Sequence, residues 1–580
     1  MTGETDSLLD LKPAISPTYF NDPSTASAGV IANELAHDRD FVETTYGAID
    51  EDLESQEDID DSDGFAVSKD KLFYICCSVY LGSYLSALDA TVVTTLLPVI
   101  SSDLGALEKS SWIATSYLLS CATFQPLFGK LSDIFGRKPM ILLCDTCFVV
   151  GCYMCATSTS LIPLVLGRFI TGIGGGGIST LSTITMSDLI SLRKRGLFQG
   201  VANVFYGLGA ASGGVIGGLV ADHWGWRYVF YLQIPLAFAS AAMIYIHLEL
   251  PEGSAGLGVQ GSGIWGKLKQ IDYLGSVLLV SGLTGIMCAA AFGGHEIPFQ
   301  SPVFVALCVI SGALLIGFGL VEAYVSPEPV IPVRLLGIRT VLTSSLANWF
   351  GTMGLFSVMY YVPLWFSTVL GLSATENGLR TVPNCIITAG ASVGAGMYMR
   401  MTGKYLAMAR ITGLLLVIGA VQLWFLKPNV STWRQYIILS VPGAGYSMML
   451  TVTLLALIAS VDVKHQASTT SIQYCFRSTG STLGVTVASA LFQHTLGAKV
   501  KSLVAAAAPD ALAGAEVVKR ALESPDYLKV APEWAKAPLL ESYDAAGHSV
   551  FYFSAVILVL GYLCVFFMQE SKLHNSVKRT

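Results

Sequence analysis

Charge is what this 580-residue chain has least of: Asp, Glu, Lys and Arg make up 13% of it, against about 25% in an ordinary soluble domain. Hydrophobic residues make up 53%. Together the two figures exclude a water-soluble globular protein and point to the bilayer as solvent. A spanning helix needs about 20 mostly apolar residues, and such runs recur from Leu72 to Met568 with short polar breaks. A P-loop, an HExxH zinc motif and a nucleophile motif in a soluble domain are all missing, so no enzyme and no cofactor are expected. The start has neither the basic residues nor the early apolar core of a cleavable signal peptide.

Cysteine is missing from the polar loops. All twelve lie in apolar runs, so a disulfide framework is not expected. Cys144, Cys147, Cys152 and Cys155 form two CxxC pairs along one stripe of a single apolar helix. A straight helix cannot fold four ligands round one ion. No metal is expected, and small-residue packing accounts for them.

The net charge of −7 hides two opposite parts, because residues 1–63 hold 17 Asp and Glu against two Lys and Arg. The rest is therefore basic by eight. An acidic, Ser/Thr/Pro-containing head with few large apolar residues cannot bury enough surface to fold. Residues 1–70 are read as a disordered cytosolic tail. Apolar runs then place spans near 72–97, 110–129, 139–158, 161–186, 198–220, 228–248, 272–293, 302–324, 340–370, 376–399, 405–426, 434–459, 469–496 and 549–569. The even count returns the tail 571–580 to the cytosol. Arg193-Lys194-Arg195, Lys267, Lys269, Arg334, Arg339, Arg400, Lys404 and Lys464 all fall on the inner side of that scheme. The outer loop 497–548 carries six Lys and Arg, but long loops translocate largely regardless of charge. Its alanines and prolines suggest short surface helices broken by turns. Asn429-Val430-Ser431 is a glycosylation sequon on the outer side, close to the membrane.

Between the second and third spans, Gly129-Lys130-Leu131-Ser132-Asp133-Ile134-Phe135-Gly136-Arg137-Lys138-Pro139 packs four charges and two glycines into a short connection. It resembles the corresponding loop of the major facilitator superfamily, whose pattern runs Gly, three residues, Asp, two residues, then Gly-Arg-Lys or Gly-Arg-Arg. Every fixed position is filled. The resemblance implies an all-α membrane fold of two six-helix halves, here 71–250 and 326–570, with two inserted spans and a linker in 251–325. A weaker copy, Gly396-Met397-Tyr398-Met399-Arg400-Met401-Thr402-Gly403-Lys404, keeps the glycine spacing and trailing base but replaces the acid with Arg400. Span 9 is then the counterpart of span 1, a register that Pro98 and Pro363 support, and the substrate site is expected near the midplane where the halves meet.

In span 1, Asp89 lies within the apolar run Leu85–Pro98. A carboxylate there is expensive in its charged form, which equips it to exchange a proton or meet a cation; a permanent ion pair that fixes packing is the alternative. The stretch resembles the Leu-Asp-x-Thr...Pro signature of fourteen-span drug:proton antiporters, with Thr94-Thr95-Leu96 where that family has Asn-Val-Ala. Span 4 resembles the superfamily's buried-arginine motif at Arg168, which implies a tuning role toward a carboxylate; bonding to backbone carbonyls is the other reading. Gly172-Ile173-Gly174-Gly175-Gly176-Gly177 satisfies GxGxxG literally, but it lies inside a membrane helix and not in a βαβ unit, so close helix packing explains it. Span 5, with Gly213 and Gly217, resembles the antiporter motif Gly-Pro-x-x-Gly-Gly with Gly214 in place of proline. Asn203 with Tyr206, Asn348 with Tyr360, and Gln473 with Arg477 each fit either a cavity wall or an interhelical hydrogen bond. Asp145 in span 3 ranks below Asp89.

Within the antiporter branch the chain is most similar to fungal vacuolar basic amino acid permeases, on Gln233-Ile234-Pro235 after Trp226-Arg227. Glu4, Leu8 and Leu9 form an acidic dileucine pattern that resembles vacuolar sorting signals. The resemblance implies a monomeric, proton-coupled antiporter that moves Lys, Arg or His into the vacuole. Its partners would be a small-molecule substrate, protons and the bilayer, with no nucleic acid. Tyr206 and Asn348 would join Asp89 and Arg168 at the proton and substrate site. Gly129, Asp133, Gly136, Arg137, Lys138, Gly213, Gly217 and Arg400 would serve gating, with Asp133 and Arg137 as an inner latch between the halves. A plasma-membrane exporter of drugs, toxins or siderophores is the alternative, and a non-transporting nutrient sensor a third class.

Overall fold

The computed structural model describes residues 68–571 and 573, apart from 105–110, 251–253, 262, 294–296, 373 and 524–526. The acidic head, with Glu4, Leu8 and Leu9, and most of the C-terminal tail lie outside the described residues. Within them the chain is helical throughout. The long helices, in order, are α1 (Lys69–Asp103), α2 (Ser111–Phe135), α3 (Arg137–Thr157), α4 (Leu161–Leu189), α5 (Leu192–Trp224), α6 (Arg227–His247) and α7 (Tyr273–Phe292). Then follow α8 (Pro302–Tyr324), α9 (Arg339–Val369), α10 (Ala374–Thr402), α11 (Leu406–Trp424), α12 (Ser440–Ala459), α13 (Gln466–Ala507) and α14 (Glu533–Phe566).

Ten helices among the described residues are long and apolar enough to cross a membrane. The count read from the sequence was fourteen; α2, α9, α10 and α13 are long but dilute their apolar residues with Ser, Thr, Gln, Tyr and a few charges. Three of these four, α2, α10 and α13, pack where the two sets of helices meet, α2 on α13 and α5 on α10. Polar side chains bond across this meeting surface, as Asn203 does to Ser392 and Ser478 to Gln125, and hydropathy falls there.

The packing repeats. α1 lies on α5 and α6, α2 on α4, and α3 on α4 and α6, while α9 lies on α13 and α14, α10 on α12, and α11 on α12 and α14. α7 and α8 pair with each other, and α7 also leans on α2 and α13. Positive-φ glycines end two of the helices: Gly136, at φ 101°, separates α2 from α3, and Gly225, at φ 95°, separates α5 from α6.

In segment 497–548 the expected short helices are present, but the flanking long helices reach further into it than expected. α13 continues to Ala507 and α14 starts at Glu533, with short helices Ala511–Glu523 and Tyr527–Val530 between them. Burial explains the extension. Val500 and Val504 join Val517, Ala521, Leu539 and Tyr543 in one apolar cluster, and the Tyr543 hydroxyl donates to the Ala521 carbonyl at 2.8 Å. Asn429 sits exposed in the turn after α11.

Candidate functional site

Asp89 and Arg168 come together. α1 and α4 bring the Arg168 guanidinium to 2.6 Å from Asp89 Oδ2, with both side chains at most 1% exposed. Arg168 also donates from Nε to the Ile113 carbonyl at 3.4 Å and stands 4.4 Å from the centre of the Tyr117 ring. Asp89 Oδ1 has no hydrogen-bond partner. The pair is thus enclosed, with one carboxylate oxygen in reserve. Tyr117 donates to the Ser86 carbonyl at 3.0 Å, and Ser86 in turn lies 3.3 Å from Ser179 Oγ on α4.

The glycine run of α4 lets this happen. A Cβ on Gly174 would come 2.5 Å from the Phe148 nitrogen, one on Gly175 2.6 Å from the Tyr117 hydroxyl, and one on Gly176 3.1 Å from Cys121 Cα. α2 and α3 therefore pack on opposite sides of one bare helix. On α5, Gly213 would come 3.0 Å from the Leu88 carbonyl, whereas Gly217 would make only ordinary contact with Val92 at 3.5 Å.

At the end bearing the Gly136 turn the two sets of helices are closed. A Cβ on Gly129 would meet Ser471 and come 2.8 Å from the Ala467 carbonyl on α13. Gly196 of α5 and Gly396 of α10 pack backbone on backbone, and Gly200 faces the Ser392 carbonyl in the same way. Arg193 donates to the carbonyls of Arg400 and Met401 at 2.7 and 3.2 Å. Deeper in, Thr183 on α4 and Tyr474 on α13 share a hydrogen bond of 2.7 Å, and Ser478 donates to Gln125 at 2.6 Å.

The loop expected to latch the halves works differently in this conformation. Arg137 donates to Asp133 at 2.6 Å, Ser132 at 2.6 Å and Asp188 at 2.9 Å, all within α1–α6. Lys138 lies over the Tyr245 ring at 5.4 Å, also in that set. Residues 254–261 fold back over the turn, with the Val259 nitrogen donating to the Ile134 carbonyl at 3.1 Å. Arg400 takes part through its carbonyl while its side chain is exposed. Asp188 on α4 is at hand and engages the Arg137 Nε.

A cleft beyond the closed seam is lined by Gln199, Leu450, Leu454, Gln473, Tyr474 and Arg477. Tyr206, 42% exposed, and Tyr446 lie close enough to feel the Arg477 charge. Asn348 is fully buried: its amide nitrogen donates to Thr453 Oγ1 at 2.7 Å, and Gln473 donates to the same hydroxyl at 3.1 Å. Asn203 bonds across the seam to Ser392 and Thr451 at 3.0 and 3.2 Å. Tyr360 is exposed and Asp145 is buried with Oδ2 unpartnered.

Sequence reasoning passed over Gly196, Gly200, Thr183, Tyr117 and Asp188. Two of these were findable: Gly196 and Gly200 on α5, and Ser392 and Gly396 on α10, are small-xxx-small pairs, the pattern that lets membrane helices touch.

Residues 79–485 match the Major Facilitator Superfamily. The chain belongs to this superfamily. As a member it is a multi-pass integral membrane transporter and not an enzyme. Multidrug resistance protein fnx1 of Schizosaccharomyces pombe is 35% identical over 506 residues, 87% of this chain and 93% of that protein. The vacuolar membrane amino acid uptake transporter fnx2 of the same yeast is 33% identical over 499 residues, 86% of this chain and 84% of that protein. Efflux pump FUS6 of Gibberella moniliformis is 29% identical over 519 residues, 87% of this chain and 89% of that protein. Among solved structures, the proton:xylose symporter XylE aligns with a TM-score of 0.57 and 17% identity, covering 88% of this chain and 99% of that one. The likeness to XylE concerns the fold alone.

Proposed function

We propose that this superfamily member is a proton-coupled antiporter that carries basic amino acids into the vacuole by alternating access between two six-helix halves, α1–α6 and α9–α14. The observation that carries the coupling is the enclosed Asp89–Arg168 pair. Ionised Asp89 neutralises Arg168; protonated Asp89 releases it. A proton delivered from an acidic lumen therefore changes how α1 and α4 hold together, and unprotonated Asp89 rejoins them. Asp89 is fully buried, so the Arg168 guanidinium is what answers its charge, and removing that charge unbalances the pair.

Support for the substrate comes from the relative whose name gives amino acid uptake at the vacuolar membrane. In this reading the Gly129–Pro139 end faces the cytosol and is closed, and the cleft at Arg477 faces the lumen. The test is uptake of labelled lysine by vacuolar vesicles. It should collapse with a protonophore and fail in Asp89→Asn, and intact uptake in that variant removes Asp89 from the coupling.

A second reading, a plasma-membrane exporter, is favoured by the relatives named for multidrug resistance and efflux. Tagging the protein and changing Leu8 and Leu9 to Ala separates the two. Vacuolar residence that shifts to the cell surface supports the first reading, and surface residence of both versions supports the second.

A further inference from the structure

Arg477 sits inside the helix bundle, and among the described residues no carboxylate stands beside it. Its ring neighbour is Tyr474, 4.6 Å from guanidinium to ring centre, and the other groups that feel its charge are Tyr206 and Tyr446. A guanidinium in a membrane protein's interior is costly unless an anion meets it, and tyrosine rings compensate only part of that cost. One helical turn earlier, Gln473 is 4% exposed, lines the same cleft, and has a side-chain oxygen without any partner, its nitrogen being spent on Thr453. Residues four apart on a helix face the same way, about 5–6 Å apart at Cβ.

We infer that Arg477 and Gln473 bind the two ends of a free α-amino acid backbone: the guanidinium takes the α-carboxylate, and the Gln473 oxygen accepts from the α-ammonium. A simple anion would satisfy the arginine and leave the buried oxygen empty. A simple cation would do the reverse and be repelled by Arg477. Only a ligand with an acid group and a donor a short distance apart answers both vacancies. Leu450 and Leu454 supply an apolar wall; the cleft's present volume of about 10 Å³ holds no more than a water, so the amino acid enters as the cleft widens. The assignment rests on the amino acid reading above and makes it specific, because it turns an arginine whose charge opposes a cationic side chain into the group that selects amino acids over plain amines.

The test is competition against labelled lysine uptake in proteoliposomes of the full chain under an imposed pH gradient, using lysine, lysinamide and cadaverine. In the native protein, lysinamide and cadaverine, which lack the carboxylate, should compete at least about tenfold more weakly than lysine, the worth of one charge-assisted hydrogen-bonded pair. Arg477→Gln should raise the KM for lysine by a similar factor and shrink the preference over lysinamide to about threefold or less. Lysinamide competing as well as lysine in the native protein overturns the assignment while leaving amino acid transport standing, as does an Arg477→Gln variant with native preference. Failure of lysine, arginine and histidine to move at all overturns both. The analogue comparison in the native protein needs no variant to fold.

Discussion

Gly196 of α5 and Gly396 of α10 close the seam by direct backbone contact: a Cβ on Gly396 would strike the Gly196 carbonyl and come 2.7 Å from Leu197 Cα. No side chain could be moved aside to make room, because the obstacles are main-chain atoms. Asn203, Arg193 and the Thr183–Tyr474 bond then add polar closure around that contact. Gly396→Val is therefore expected to block closure at this end and reduce uptake to roughly a tenth or less, since overpacking of this kind costs about 1–3 kcal/mol or more. Gly394→Ala, two residues away with nothing within 4 Å, should transport normally. The comparison is made on uptake normalised to the amount of protein in the membrane.

The Asp89–Arg168 pair should also matter for stability. Removing one partner leaves a buried charge unanswered, at about 3–5 kcal/mol, whereas removing both leaves none. Asp89→Ala and Arg168→Ala should each lower the melting temperature in detergent markedly, and the double variant should melt above at least one of the singles. Additive losses would show that the two residues act apart.

How much of this was legible beforehand differs by kind of feature. Asp89 and Arg168 stood out because charge inside an apolar run is rare, although their pairing needed the crossing of α1 and α4, residues 79 apart in sequence. The Gly136 turn was legible because a left-handed residue between two helices calls for glycine. The partners of Arg137 were not legible: charges on a loop tell which residues can pair, not which partner is nearer, and Asp188 is at hand on α4. The extension of α13 to Ala507 was hidden because the alanine-rich stretch reads as a surface segment until Tyr543 and Leu539 cover it.

Arg137 offers a sharper test of that loop. It spreads three donors over Asp133, Ser132 and Asp188 at 2.6–2.9 Å, a fork that an ammonium cannot reproduce. Arg137→Lys keeps the charge and should still lower turnover several-fold with little change in substrate KM, because the loop shapes the closed seam and not the cleft. A defect confined to KM would count against this placement.

At the opposite end of α1, Asp103 clasps the start of α6, accepting from Trp226 Nε1 at 3.1 Å and from Arg227 at 2.9 Å. These hydrogen bonds, the Trp226 one foremost, hold its carboxyl below the ordinary 3.8. A carboxylate with a folded-state pKa below its unfolded value contributes stability that is present above about 3.8 and is lost as the pH falls through the lower, folded value. The clasp should therefore stay intact down to about pH 5. The side chain is 48% exposed, so its contribution is small, at most about 1 kcal/mol after solvent screening. Melting curves of the native protein and Asp103→Asn should differ by the same small amount from pH 7 to pH 5 and converge below about pH 4. A gap that widens toward acid would mean that Asp103 acts through some group other than Trp226 and Arg227.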